Sequence, residues 1–200
     1  MGIKLTAVAK LIGATFLFTS SLAAAVTLET DANGQLVGVS GLQVDTELFD
    51  VVFVDDSCIN AFGGCNDAIS DFTFQTLDDA TAASSALLDA LANSIFLDQP
   101  INIFGCSALE VCGITTPYSL STTQPRVNAA TLDIRATFQN GLDSTSFTSF
   151  LTAADLTDSP SSVYAAYTAV APVPLPAAAW LFVSALGLLG FRVKQRAQQS

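Results

Sequence analysis

Thr131-Leu132-Asp133-Ile134-Arg135-Ala136-Thr137-Phe138 is the cleanest alternating stretch in the chain. Leu132, Ile134, Ala136 and Phe138 point one way, and Thr131, Asp133, Arg135 and Thr137 the other. A period of two with one apolar side is the mark of a strand in a sheet with one dry and one wet face. Asn140-Gly141 follows as a hairpin turn, and Ser144 to Leu151 is the return strand.

Working backwards, Ile101 to Phe104 and Val111 to Thr115 are strand-like, and so is the short segment Asp71 to Phe74. Near the start, Val26 to Thr30 alternates and Asp31-Ala32-Asn33-Gly34 turns. Gln35 to Val39 resumes, Ser40-Gly41 interrupts, and Leu42 to Val44 continues. Leu48 to Val54 is a richer apolar run suited to a central strand, and Tyr164 to Thr168 is a last short strand. Between them the period changes. Thr76 is a helix N-cap with Asp79 three residues on, and Ala80, Ala83, Leu87, Leu91 and Ile95 recur at helical spacing. The expectation is a mainly β domain of the α+β class, with an antiparallel sheet and one packed helix from Leu77 to about Ile95.

Four cysteines fall in two close pairs, Cys58 with Cys65 and Cys106 with Cys112. Outside the cytoplasm two local disulfides are the favoured reading; crossed pairing is the second choice, and a four-thiolate zinc site is disfavoured by spacing. Asp55 and Asp56, with Asp67 and Asp71 nearby, are the weak candidates for a calcium site, set against a plain exposed acidic loop. No other cofactor is expected. The chain has no histidine, so no familiar Ser-His-Asp triad exists, and no Gly-rich phosphate loop follows a strand. No acidic pair has a diagnostic spacing for glycoside hydrolysis. No catalytic pattern therefore supports an enzyme, and a secreted carboxylate-based hydrolase is kept only as an alternative. Tyr118, Tyr164 and Tyr167 are the aromatic residues that a glycan-binding module would have to expose.

The two ends read as address labels. Lys4 and Lys10 precede the apolar run Leu11 to Ala25, and Ala23 and Ala25 supply the small residues of a signal-peptidase site, placing a signal peptide over 1–25. At the other end, 33 uncharged residues run from Ser159 to Phe191. Within them 177–191 is almost unbroken apolar, about 22 Å as a helix, and short for a permanent anchor. Residues 169–176 form a Pro-rich linker, and 192–200 a basic tail whose Arg192, Lys194 and Arg196 fit the positive-inside rule. Both ends then lie inside, with the globular part, 26–168, outside. All 18 acidic residues fall in that part against Arg126 and Arg135 alone, for a net charge of −16 and no lysine. Such a surface disfavours nucleic acid, which needs a cationic face.

Val173-Pro174-Leu175-Pro176-Ala177, then the short apolar helix with Trp180, then Arg192-Val193-Lys194-Gln195-Arg196, resembles the PEP-CTERM class of bacterial sorting signal in its VPLPA variant. The resemblance covers roughly the last 28 residues. It implies recognition of the Pro-containing motif by a membrane-embedded exosortase that removes the helix and tail. It also implies a role among the surface or matrix proteins of Gram-negative bacteria that make extracellular polysaccharide, with that polysaccharide as a further partner. Leu175 stands where the commoner motif has Glu, which points to a variant partner enzyme. The resemblance assigns no activity to residues 26–168. Their expected role is structural or interactive at the cell surface or in the extracellular matrix, with a glycan- or calcium-binding module as the alternative.

Overall fold

The computed structural model describes residues 25–92, 94–136 and 143–171. Thr131 to Arg135 of the alternating stretch form the end of a longer strand, β5, Arg126–Arg135, because Val127, Ala129 and Ala130 extend the buried pattern backwards; Thr137 and Phe138 lie outside the described residues. It pairs antiparallel with β4, Val111–Leu120, on one side and β6, Ser144–Leu151, on the other. The expected turn Asn140-Gly141 lies outside the described residues.

The first third forms a second meander: β1 Thr27–Thr30, β2 Leu36–Val44 and β3 Glu47–Val54, each antiparallel to the next. Asp31 builds the β1–β2 turn by accepting the amides of Asn33 and Gln35 through Oδ1, while Gly34 takes φ +82°. The Gln35 amide bond, first among its causes, holds the Asp31 carboxyl below its ordinary range. Ser40-Gly41 does not end a strand. It makes an irregularity within β2, with Gly41 at φ +67° and its amide donating to Asp50 Oδ1 at 2.9 Å.

The last strand, β7, Ser162–Ala169, inserts between the two meanders. The order across the sheet is β1-β2-β3-β7-β4-β5-β6. Because β7 runs antiparallel to β3 but parallel to β4, the sheet is mixed, not the antiparallel sheet expected. Hairpin turns dictate antiparallel neighbours locally; the β4–β7 pair is joined by a long connection and escapes that constraint.

The principal helix, α3, Leu77–Leu91, lies across β2, β4 and β5. Thr76 caps it, its hydroxyl oxygen accepting the Asp79 amide at 3.1 Å. Ala80, Ala83, Leu87 and Leu91 are buried against Val39, Phe49, Ile114, Leu132, Ile134 and Val163 in the main core. The helix stops before the expected Ile95 because Ala92 turns extended, at ψ 134°, and Ser94 starts a separate turn, α4 Ile95–Asp98. It is also not the only helical element. Cys58–Ala61 forms α1 and Ala68–Asp71 forms α2, with 3-10 turns at Pro100–Asn102 and Leu156–Asp158.

Two expected strands are thereby corrected. Asp71 closes α2, capped by Asp67, while Phe72 and Phe74 bury their rings without pairing in the sheet. Ile101 to Phe104 makes one bridge, Ile103 to Leu36, because Pro100 has no amide hydrogen and favours the start of a helical turn.

Nor is the second face of the sheet simply wet. Cys58, Cys65, Phe72, Val127, Leu156 and Tyr164 form a smaller core there. Thr115 and Thr131 are buried on that face, with hydroxyls 3.4 Å apart. Among the described residues no helix is long and apolar enough to cross a membrane.

Candidate functional site

The cysteines are joined as two local disulfides, Cys58–Cys65 and Cys106–Cys112, each with Cα atoms 5.7 Å apart. The first closes a loop over Gly63 and Gly64, both at positive φ, and packs into the smaller core. The second fastens the loop before β4 to its start, with Cys106 and Cys112 in the main core.

The four candidate aspartates divide into two separate groups. Asp67 and Asp71 serve their own backbone. Asp67 Oδ1 accepts the Ile69 amide, and Asp71 Oδ2 accepts the amides of Asp67 and Asn66, which hold the Asp71 carboxyl below its ordinary range. Asp55 and Asp56 follow β3. The Asn60 side-chain amide, at 2.8 Å, and the Ser57 amide, at 2.6 Å, both reach Asp56 Oδ1 and lower its carboxyl.

Asp55 is different. Its Oδ1 is buried without a hydrogen-bond partner. Burial first, then the charges of Asp155 and Asp56, push its carboxyl above the ordinary range. Asp155 arrives from a hundred residues further along through the bridge Ser57 to Asp155 and the Leu156 amide on Asp56 carbonyl oxygen. No sequence spacing announces that meeting, although Asp155-Leu156-Thr157 carries the local signature of a capped turn, with Asp155 Oδ1 accepting the Thr157 amide. Gly105 closes the corner from the other side. A Cβ there would lie 2.9 Å from Asp55 Cβ and 3.0 Å from Val163 Cγ2. Among the described residues no group of three or more Cys, Asp or Glu side chains converges as a metal site.

The tyrosines are largely structural. Tyr164 is fully buried between the rings of Phe62, at 5.5 Å, and Phe150, at 6.4 Å, and burial pushes its phenol up to about 12. Tyr167 lies in the main core against Phe74 and Phe49, with its phenol raised by burial. Only Tyr118 remains partly exposed, so these residues provide no open aromatic platform.

What does stay open is the end of the second face that the smaller core leaves uncovered. A shallow hollow of about 380 Å³ is lined there by polar Thr131, Asp133, Arg135, Ser146, Thr148 and Ser162, with Val111 and Phe150 among its apolar walls. Asp133 Oδ2 accepts the Ser146 hydroxyl at 3.1 Å. Hydroxyls, a carboxylate and a guanidinium on a sheet face can exchange hydrogen bonds with a polar ligand. The alternation of β5 marks Thr131, Asp133 and Arg135 for this face; their β6 and β7 neighbours are set by register alone.

The sorting-motif residues Val173, Pro174, Leu175, Pro176 and Ala177 lie outside the described residues, as does Ala23; Ala25 is the first residue described. No family model, curated protein or solved structure matches the chain.

Proposed function

We propose that the protein is exported across the inner membrane, held at it briefly by its C-terminal apolar segment, and sorted to the cell surface or extracellular matrix. There its central domain acts without catalysis, in a structural or binding role. The observation that carries this reading is the segregation of charge: every acidic residue lies between two apolar runs, and five of the seven basic residues lie in the flanking ends. Signal peptidase acts after Ala25, and an exosortase-type enzyme acts at Val173-Pro174-Leu175-Pro176-Ala177. Two disulfides support residence in an oxidising space.

Intact mass of the natural extracellular product tests the reading. The expected mass lacks residues 1–25 and the chain beyond the Pro motif, and a Pro174→Ala, Pro176→Ala variant stays cell-bound at the precursor mass. A cytoplasmic product with Met1 and Ser200 intact overturns it.

A second reading, binding of extracellular polysaccharide, is favoured by the hydroxyl-lined hollow around Asp133 and Arg135. Calcium would bridge an acidic surface to an anionic polymer. Titration of the host polysaccharide with and without calcium separates direct from bridged binding, and Arg135→Ala weakens the direct mode.

A further inference from the structure

Among the described residues β1 and β6 are the outer strands of the sheet, and they are unequal. β1 has four residues, carries Glu29 and shifts register between Glu29 and Thr30. Shortness, charge and irregularity are the devices by which proteins blunt an edge. β6 has eight residues, Ser-Thr-Ser-Phe-Thr-Ser-Phe-Leu, with no charge and no proline, and keeps one register with β5 from Ser144 to Leu151.

The direction of its backbone groups follows from two bonds outside the ladder. The Ala136 amide bonds Glu110 carbonyl oxygen, so the even residues of β5 face β4 and its odd residues face β6. The Thr152 amide bonds Pro125 carbonyl oxygen, in register with the β5–β6 pairs, so the even positions of β6 face β5. The amides and carbonyls of Thr145, Phe147, Ser149 and Leu151 therefore point outward. Two of these carbonyls are already engaged, Ser149 by Arg126 Nη2 and Leu151 by the Ala154 amide, each at 2.9 Å, but a carbonyl keeps a second lone pair. Phe147, midway along β6, pairs with Ala130 of the main core, yet 59% of it is exposed.

We infer that β6 is a pairing edge for β6 of a second copy of this chain, antiparallel about a two-fold axis through Phe147. An axis perpendicular to the sheet keeps the two faces of each copy aligned, so paired positions have the same parity. Centred on Phe147, the outward groups of Phe147 meet those of its counterpart, and Thr145 meets Ser149 of the second copy. The two Phe147 rings become a cross-strand aromatic pair on the helix-bearing face.

Charge confines contact between copies to this same edge. The globular part carries −16, so two copies repel over most of their surface. β6 is uncharged, and Arg126 and Arg135, the two cations among the described residues, sit on the adjacent strand at its two ends. The two-fold register sets Asp143 of the second copy opposite Leu151, one strand from Arg126. A single strand edge buries less than the roughly 1,200 Å² of a standard interface. Dimerisation is therefore weak and concentration-dependent, and attachment to a surface strengthens it by raising the local concentration.

Sedimentation equilibrium of the full chain, disulfides intact, in density-matched detergent tests this. The wild type should pass from monomer to dimer as concentration rises. Phe147→Lys places a charge on the axis, and Thr145→Pro deletes an outward amide without removing a bond to β5. Each should weaken dimerisation at least ten-fold with the thermal midpoint nearly unchanged, whereas Thr27→Lys on the blunt edge should leave it intact. A wild type that stays monomeric up to about millimolar concentration, where association falls to about 4 kcal/mol, overturns the inference. So does a dimer that survives both β6 variants or is lost in Thr27→Lys.

Discussion

Ser84, fully buried on the sheet-facing side of α3, donates its hydroxyl hydrogen to Thr116 Oγ1 at 3.2 Å, and Thr116 Oγ1 lies 3.3 Å from the Tyr167 hydroxyl. One polar chain thus joins the helix to β4 and β7 through an otherwise apolar interior, and it fixes where along the sheet the helix sits. Thr116→Val keeps the shape but leaves two buried hydroxyls without that partner. The expected loss is roughly 2–4 kcal/mol of unfolding free energy in urea titrations. Ser84→Ala should cost about 1 kcal/mol, and the double variant less than the sum of the two.

Asp55 makes neutral pH unfavourable for its corner of the fold. Its folded carboxyl titrates above the unfolded value, so between the two the native state binds more protons and stability falls as pH rises. The cost is complete above the folded value and absent below the unfolded one. Asp55→Asn should therefore raise the thermal midpoint at pH 7, with the advantage gone by about pH 3. Asp71 has the opposite sign. Its folded carboxyl is lowered, so its contribution is present above the unfolded value and lost as pH falls through the folded one. Asp71→Asn should lower the midpoint at pH 7, and the deficit should shrink in acid.

Each disulfide closes a loop of seven or eight residues, which chain-entropy arguments value at about 2.5 kcal/mol. Replacing Cys106 and Cys112 by alanine should exceed that value, because both cysteines sit in the main core and their loss leaves a space against its apolar wall. The Cys58, Cys65 pair, equally buried but in the smaller core, should likewise exceed the loop term. Calorimetry of the two double variants ranks them.

Gly38 is a site of close approach, not of turning. A Cβ there would collide with the Val51 carbonyl oxygen, so Gly38→Ala must displace β2 from β3. A loss of about 1–3 kcal/mol is expected, larger than at Gly34, where nothing lies within 4 Å but the backbone is left-handed. Equilibrium denaturation of both variants checks the order.

Local chemistry makes the first meander, the antiparallel β5–β6 pair, the helix start at Thr76 and both cysteine pairings legible in the sequence. Each depends on residues within about ten positions: the Asn33-Gly34 turn, the Thr76 cap, the short loops between cysteines. The mixed sheet was hidden because β7 contacts partners some fifty to a hundred and twenty residues away. The approach of Asp155 to Asp55 is hidden by the same long separation in sequence. The helical turn at Pro100 and the cap at Asp67 were legible in principle, but their apolar neighbours Ile101, Ile103, Phe72 and Phe74 imitated strands. The open face followed from alternation in β5, whereas the burial of Tyr164 and Tyr167 depended on which face the last strand would offer.

Placing β7 between β3 and β4 has a mechanical result. Until Ser162–Ala169 has been synthesised, the two three-stranded halves lack the strand that joins them, so β7 completes the sheet last. Tension applied through the chain beyond Ala169 then pulls β7 lengthwise against two neighbours at once, loading both ladders in shear instead of peeling an outer strand bond by bond.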